Sequence, residues 1–291
     1  MKKFAALLAL FVLSAMLFGC GKPADTPQAA ATTMPVWQFA SRICQGTDVT
    51  VNRLVTESIS CLHDYSLQVS QMRAIESAQV VFLSGAGLEH FMEDALKQAK
   101  AVVDASQGVE LLPMARSGGH AGHDHGELDP HIWLAPENAK IMAENICTGL
   151  KEQFPQHTEA FDRNLEQLLS DLDGLQKYGE ETLADLSCRE LITFHNGFAY
   201  FAKAFDLTIL DSVEEEAGSE ASAADLTGLI DLVKRENLPA VFTEINGSDA
   251  AAQVIVSETG AKAYPLDMAM AGDDYFAAIR SDIDTIKEAL G

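Results

Sequence analysis

Positive charge is scarce in this 291-residue chain. Twenty Lys and Arg stand against 43 Asp and Glu, for a formal net charge of -23. That balance argues against nucleic acids and anionic lipid surfaces as partners, and it raises the local concentration of cations. An acidic surface makes no site by itself, since it ordinarily serves only solubility. Long hydrophobic runs are also missing, because the apolar stretch from Phe4 to Phe18 is short for a membrane span. No repeat of fixed period is visible. The sequence holds no His-Glu-x-x-His pattern and no nucleophile elbow around a serine, so an enzyme is not expected. The five cysteines include none of the close pairs of a zinc ribbon. What is present is an apolar fraction of 47%, which marks a globular chain long enough for two lobes, each with its own core.

The N-terminus has the form of an export signal. Met1-Lys2-Lys3 supplies a basic end, the apolar run follows, and Leu17-Phe18-Gly19-Cys20 resembles a bacterial lipobox, with Cys20 as the lipidated residue. Phe18 is bulkier than the residue usual at its place. Residues 21–33, rich in Ala, Thr and Pro, read as a flexible tether between anchor and domain. Export to an oxidising compartment, periplasm or cell surface, changes the reading of Cys44, Cys61, Cys147 and Cys188: disulfides are favoured over thiolate ligands. Four cysteines allow three connectivities, of which Cys44 with Cys61 and Cys147 with Cys188 is preferred.

From Met34 onward, short apolar strands alternate with amphipathic helices. Residues 48–55, 79–83 and 101–104 read as strands and 70–77, 88–100 and 136–152 as helices. The leucines at 165, 168, 169, 172 and 175 continue a helical period from Pro155 to about Leu186, a helix of about 45 Å that is longer than one small lobe needs. Gly174 and Gly179 weaken it locally. Strands resume at 190–194, 207–210, 239–243 and 261–266, with helices at 223–236 and 272–290. The expected fold is α/β, two similar lobes of mostly parallel sheet flanked by helices. Residues 34–153 form the first, a long linking helix spans 154–187, and 188–291 form the second.

Four of the eight histidines crowd into His120-Ala-Gly-His123-Asp-His125-Gly-Glu-Leu-Asp129-Pro130-His131. His120, His123 and His125 lie among glycines in the loop 117–128, which suits a loosely held cation-collecting segment. His131 differs: it follows an Asp-Pro turn and precedes the apolar Ile132-Trp133-Leu134, which would hold its ring in place. His63, His195 and Asp267 each fall just past an expected strand, and in open parallel sheets the ligand crevice lies beyond the carboxyl ends of the strands. Two such edges facing each other would bring these groups together in a cleft.

At Cys61-Leu-His63-Asp64-Tyr65, Asp129-Pro130-His131-Ile-Trp-Leu-Ala-Pro136 and Thr-Phe-His195-Asn-Gly-Phe-Ala-Tyr200-Phe201, the chain resembles the bacterial metal-binding solute-binding proteins of ABC transporters, specifically the zinc-uptake members. The likeness extends over nearly the whole exported chain, including the His-rich loop, the long helix, and the Phe242-Thr-Glu244 and Glu258-Thr-Gly260 segments. It implies His63 and His131 as metal ligands from the first lobe, His195 from the second, and Asp267 as a carboxylate ligand, with water or Glu244 as the alternative fourth. Glu244 would otherwise orient a ligand from behind. Leu62 stands where some zinc members carry an acidic residue, and the His loop is short.

Three imidazoles and a carboxylate suit Zn²⁺, whereas Mn²⁺ calls for more oxygen ligands. The resemblance therefore implies an extracytoplasmic, membrane-anchored monomer that captures Zn²⁺ and delivers it to an ABC-type permease. The alternatives are the same fold carrying Mn²⁺ or another divalent metal, a metal-dependent surface adhesin, and a secreted zinc hydrolase with Glu244 as base.

Overall fold

The computed structural model describes residues 27–57, 62, 65–114, 128–214, 221–245, 247 and 249–291. The first lobe is a parallel sheet in the order β2-β1-β3-β4, formed by β1 (Ala29–Ala31), β2 (Val51–Arg53), β3 (Val80–Leu83) and β4 (Val102–Asp104). Its helices are α1 (Met34–Ile43), α2 (Val69–Ser77), the short α3 (Glu93–Leu96) and α4 (Pro136–Gln153). Pro35 in the first turn of α1 and Pro136 at the start of α4 occupy positions where a missing N–H costs nothing.

Alternation along the strands places one set of side chains on each face of the sheet. Ala29, Ala31, Val80 and Phe82 point into the main core with α1 and α4, while Ala30 and Val81 meet Leu54, Ile75 and Met92 on the other side. A sheet buried on both faces is what parallel strands require. The C-terminal part of the stretch 21–33, expected as a tether, belongs to the fold. Ala29–Ala31 is fully buried and forms the inner strand β1, paired in parallel with both β2 and β3.

The long helix is α5 (Thr158–Thr182), unbroken over 25 residues and about 37 Å long, preceded by a separate 3-10 turn at Pro155–His157. Leu168, Leu172 and Leu175 are fully buried along it. Gly174 and Gly179 do not interrupt it. At Gly179 the ring of Phe205 lies so close that a Cβ would sit 2.2 Å from its Cε1.

The second lobe contains β5 (Glu190–His195), α6 (Ala199–Ala204), β6 (Thr208–Glu214), α7 (Ala223–Glu236), β7 (Ala240–Glu244), α8 (Ala250–Thr259), β8 (Lys262–Leu266) and α9 (Tyr275–Leu290). Its strands form two parallel pairs, β5 with β6 and β7 with β8, and β5 lies beside β7. Ile192, Phe194 and Val241 face a core under α7 and α8, whereas Leu191, Ala240 and Phe242 face the opposite way. That second face joins α9, α5, α4 and α1 in one hydrophobic cluster shared with the first lobe. Helix α5 packs against α1, α4 and α9, so the two lobes share apolar contact through it.

The expected Cys147–Cys188 bridge is absent. Cys147 is buried on the core side of α4, and Cys188, half-buried ahead of β5, directs its thiol to the carbonyl of Glu190 at 3.7 Å; these thiols and that of Cys44 are free. Burial pushes the Cys44 thiol up to about 12 and that of Cys147 up to about 11. Both are therefore held as neutral apolar groups of the core. Cys61, the expected partner of Cys44, and Cys20 lie outside the described residues.

Candidate metal centre

His131 is the residue immediately before the 3-10 turn Ile132–Leu134, whose three side chains are fully buried. That apolar anchor fixes its backbone, and one carboxylate fixes its ring. Asp129 Oδ1 accepts from the His131 backbone N–H at 2.9 Å and pairs with ring Nδ1 at 2.8 Å. Both residues are buried, Asp129 at 0% exposure and His131 at 2%. A carboxylate facing Nδ1 selects the tautomer with its proton there, which turns the lone pair to Nε2. His131 Nε2 is buried and has no hydrogen-bond partner among the described residues.

His195 ends β5 and Glu244 ends β7, the strand lying beside it, and the two strand ends bring the side chains face to face. Glu244 Oε1 faces His195 Nδ1, and both side chains are almost completely buried. The arrangement repeats the Asp129–His131 pairing in the other lobe. The two imidazole rings lie 5.4 Å apart, centre to centre, at an interplanar angle of 63°.

The space between them is closed on one side by a residue that has no side chain. A Cβ at Gly197 would lie 2.5 Å from His195 Nε2, 2.8 Å from Met268 Cε and 3.1 Å from His131 Nδ1. Tyr200 of α6 crosses from the second lobe, donating to the Asp129 carbonyl at 2.9 Å while accepting from the Leu112 N–H at 2.9 Å. Trp133 packs its ring edgewise on His131 at 5.5 Å and donates through Nε1 to the Met268 carbonyl at 2.8 Å.

Asp267 follows β8 directly and is partly buried. Its N–H donates to Asp282 Oδ1 of α9 at 2.8 Å, and its own Oδ1 accepts from the Ala269 N–H at 2.9 Å. Burial pushes its carboxyl above the usual range, against the lowering effect of the Ala269 N–H. Its neighbour Met268 sets its Cε beside Gly197.

The structure thus brings together His131 and His195 and sets the Glu244 carboxylate against His195 Nδ1. No three His, Cys, Asp or Glu side chains converge into a ready cage among the described residues. His63, His120, His123 and His125 lie outside the described residues. Leu62 and Tyr65, on either side of His63 and Asp64, are anchored: Leu62 is fully buried, and Tyr65 donates its N–H to Leu62 O at 3.0 Å and its hydroxyl to Glu57 at 2.7 Å.

Asp129 was missed as a site residue although the Asp-Pro-His spelling carries it. A carboxylate two residues ahead of a histidine, across a turn-forming proline, is a local signal. Tyr200, Trp133 and Asp282 carry no such signal, since their partners are remote in sequence.

The family model for the zinc-uptake complex component A, periplasmic, matches residues 30–289. The high-affinity zinc uptake system protein ZnuA of Brucella abortus is 27% identical over 331 residues, covering 98% of each chain. An iron-binding protein, YfeA of Yersinia pestis, is also 27% identical, over 99% of this chain and 96% of its own. A crystal structure of ZnuA superposes with a TM-score of 0.80 at 30% identity, covering 91% of this chain and 100% of its own.

Proposed function

The chain belongs to the family of the periplasmic zinc-uptake complex component A, and from that premise we propose that it captures Zn²⁺ between its lobes through His63, His131, His195 and Asp267. The family makes it the extracytoplasmic solute-binding component of a metal ABC transporter. The observation that carries the metal reading is the doubled motif: two facing imidazoles, one from each lobe, each with Nδ1 against its own buried carboxylate. Carboxylate–histidine pairs of this kind fix the tautomer and raise ligand basicity at metal centres.

Zinc is favoured by ligand chemistry. Neutral imidazole nitrogens with one carboxylate match its tetrahedral preference, while Mn²⁺ is better served by a site richer in oxygen. Asp129 and Glu244 are occupied with Nδ1 atoms and serve as orienting groups. Asp267, partly buried at the end of β8, supplies the remaining anion in this reading. The ion is cargo, so binding has to be reversible at the permease.

The loop bearing His120, His123 and His125 acts in this reading as a weak collecting segment. Cys20 anchors the protein through a lipid, and the protein works as a monomer.

Metal analysis of the purified chain, followed by chelator-competition titration with Zn²⁺, Mn²⁺ and Fe²⁺, tests the proposal. Zinc is expected to bind most tightly, and His131→Ala and His195→Ala to weaken it by at least a hundredfold. Unchanged affinity in both variants refutes the site, and tighter Mn²⁺ than Zn²⁺ binding refutes the choice of metal. Deleting residues 117–126 should remove only weak extra binding in calorimetry.

A further inference from the structure

We propose that Arg53 is a positioning residue that clasps the segment carrying Asp267 to the first lobe and so controls how fast the bound cation leaves. The inference rests on Asp267 being a ligand, as argued above.

Arg53 ends β2 in the first lobe, yet most of its hydrogen bonds go to the second. Nε donates to the nearby Val55 carbonyl at 2.7 Å, which fixes the plane of the guanidinium. Nη2 then donates to the Met270 carbonyl at 2.7 Å and Nη1 to the Gly272 carbonyl, with Asp273 Oδ1 3.4 Å from Nη1. The side chain is only 9% exposed although Asp273 is 87% exposed. Its principal acceptors are neutral carbonyls, two residues apart, so the planar fork matters here more than the charge. A lysine carries the charge without the fork.

The segment between β8 and α9 packs Met268, Ala269 and Met270 into the main core, and its polar attachments are few. Asp267 is tied to α9 through Asp282, Met268 to Trp133, and the chain turns at Ala269, whose φ is +53°. A non-glycine residue in that left-handed region costs energy and persists only where its surroundings hold it. Beyond Ala269, the next attachments to the first lobe are the two carbonyls that Arg53 grips. Arg53, Gly272 and Asp273 themselves border a cavity of 440 Å³, together with Trp37, Val51 and Asn52, so open space lies beside the gripped segment. Opening the clasp would free Met270 and Gly272, relax the turn at Ala269, and displace Asp267, three residues from the nearer gripped carbonyl.

The test is the rate of zinc release from the full-length chain, measured by stopped-flow mixing with excess chelator. Arg53→Gln and Arg53→Lys are each expected to speed release at least tenfold with an unchanged association rate. In an Asp267→Asn background, Arg53→Gln should add nothing further, because the residue through which it acts has already lost its charge. Release at the wild-type rate in both Arg53 variants overturns the clasp. So does an acceleration by Arg53→Gln that persists undiminished beside Asp267→Asn, since that is the signature of general destabilisation. Wild-type protein that fails to bind zinc, or an Asp267→Asn variant that binds and releases it normally, would instead defeat the assignment of the site on which the clasp depends.

Discussion

A single oxygen of Asp129 serves both the backbone N–H and the ring Nδ1 of His131, at 2.9 and 2.8 Å. Truncation to Asp129→Ala removes both contacts inside a fully buried pocket. The expected result is metal affinity lower by about a hundredfold, with about 1–3 kcal/mol of stability lost from the abandoned buried donor. Asp129→Asn keeps a carbonyl acceptor and should cost about tenfold. Competition titration and urea unfolding of the same preparations separate the two effects. Glu244→Gln, which alters the matching group behind His195, is expected to fall in the same affinity range.

The two glycines of α5 should behave oppositely. Gly174 faces open space, with nothing within 4 Å of a built Cβ. Gly174→Ala is therefore expected to stabilise the protein by about 0.5–1 kcal/mol through helix propensity. At Gly179 the methyl would collide with the Phe205 ring, and Gly179→Ala should destabilise by about 1–3 kcal/mol through overpacking. Urea midpoints of the two variants check the contrast, which a simple kink at either glycine would not produce.

Glu89 is the clearest source of pH-dependent stability away from the metal centre. Its carboxylate accepts from Thr32 Oγ1 and the Ser84 N–H, each at 2.7 Å, and from the Gly85 N–H at 3.1 Å. Complete burial nevertheless pushes its pKa up to about 7. An acid whose folded pKa exceeds its unfolded one favours the native state at low pH. Stability is lost as pH climbs from the unfolded value toward 7, by about 3 kcal/mol in all. Urea unfolding from pH 5 to 8 should show this slope, and Glu89→Gln should flatten it.

What the sequence makes legible here follows from local cues. The leucine period announces α5, Pro136 announces the start of α4, and the apolar Ile132-Trp133-Leu134 announces a rigid seat for His131. Strand endings located His195 and Asp267 because a parallel sheet exposes its carboxyl edge. The strand β1 was missed since Ala-Ala-Ala offers neither β-branching nor alternation, and only pairing with β2 and β3 makes it a strand. Arg53 was illegible for the same kind of reason: its partners at Met270 and Gly272 lie in the other lobe. The Cys147–Cys188 pairing failed because even number and compartment set only an expectation, while burial decided where the thiols sit.

The apolar cluster that passes from the first lobe through α5 into α9 has a further consequence. Two halves glued along such a continuous dry layer cannot swing apart like a hinged box without wetting it. Empty and loaded protein should consequently differ at the loop tips around the sheet edges more than in overall shape. A membrane partner that accepts only the loaded form would have to read those tips, within a silhouette that scarcely changes.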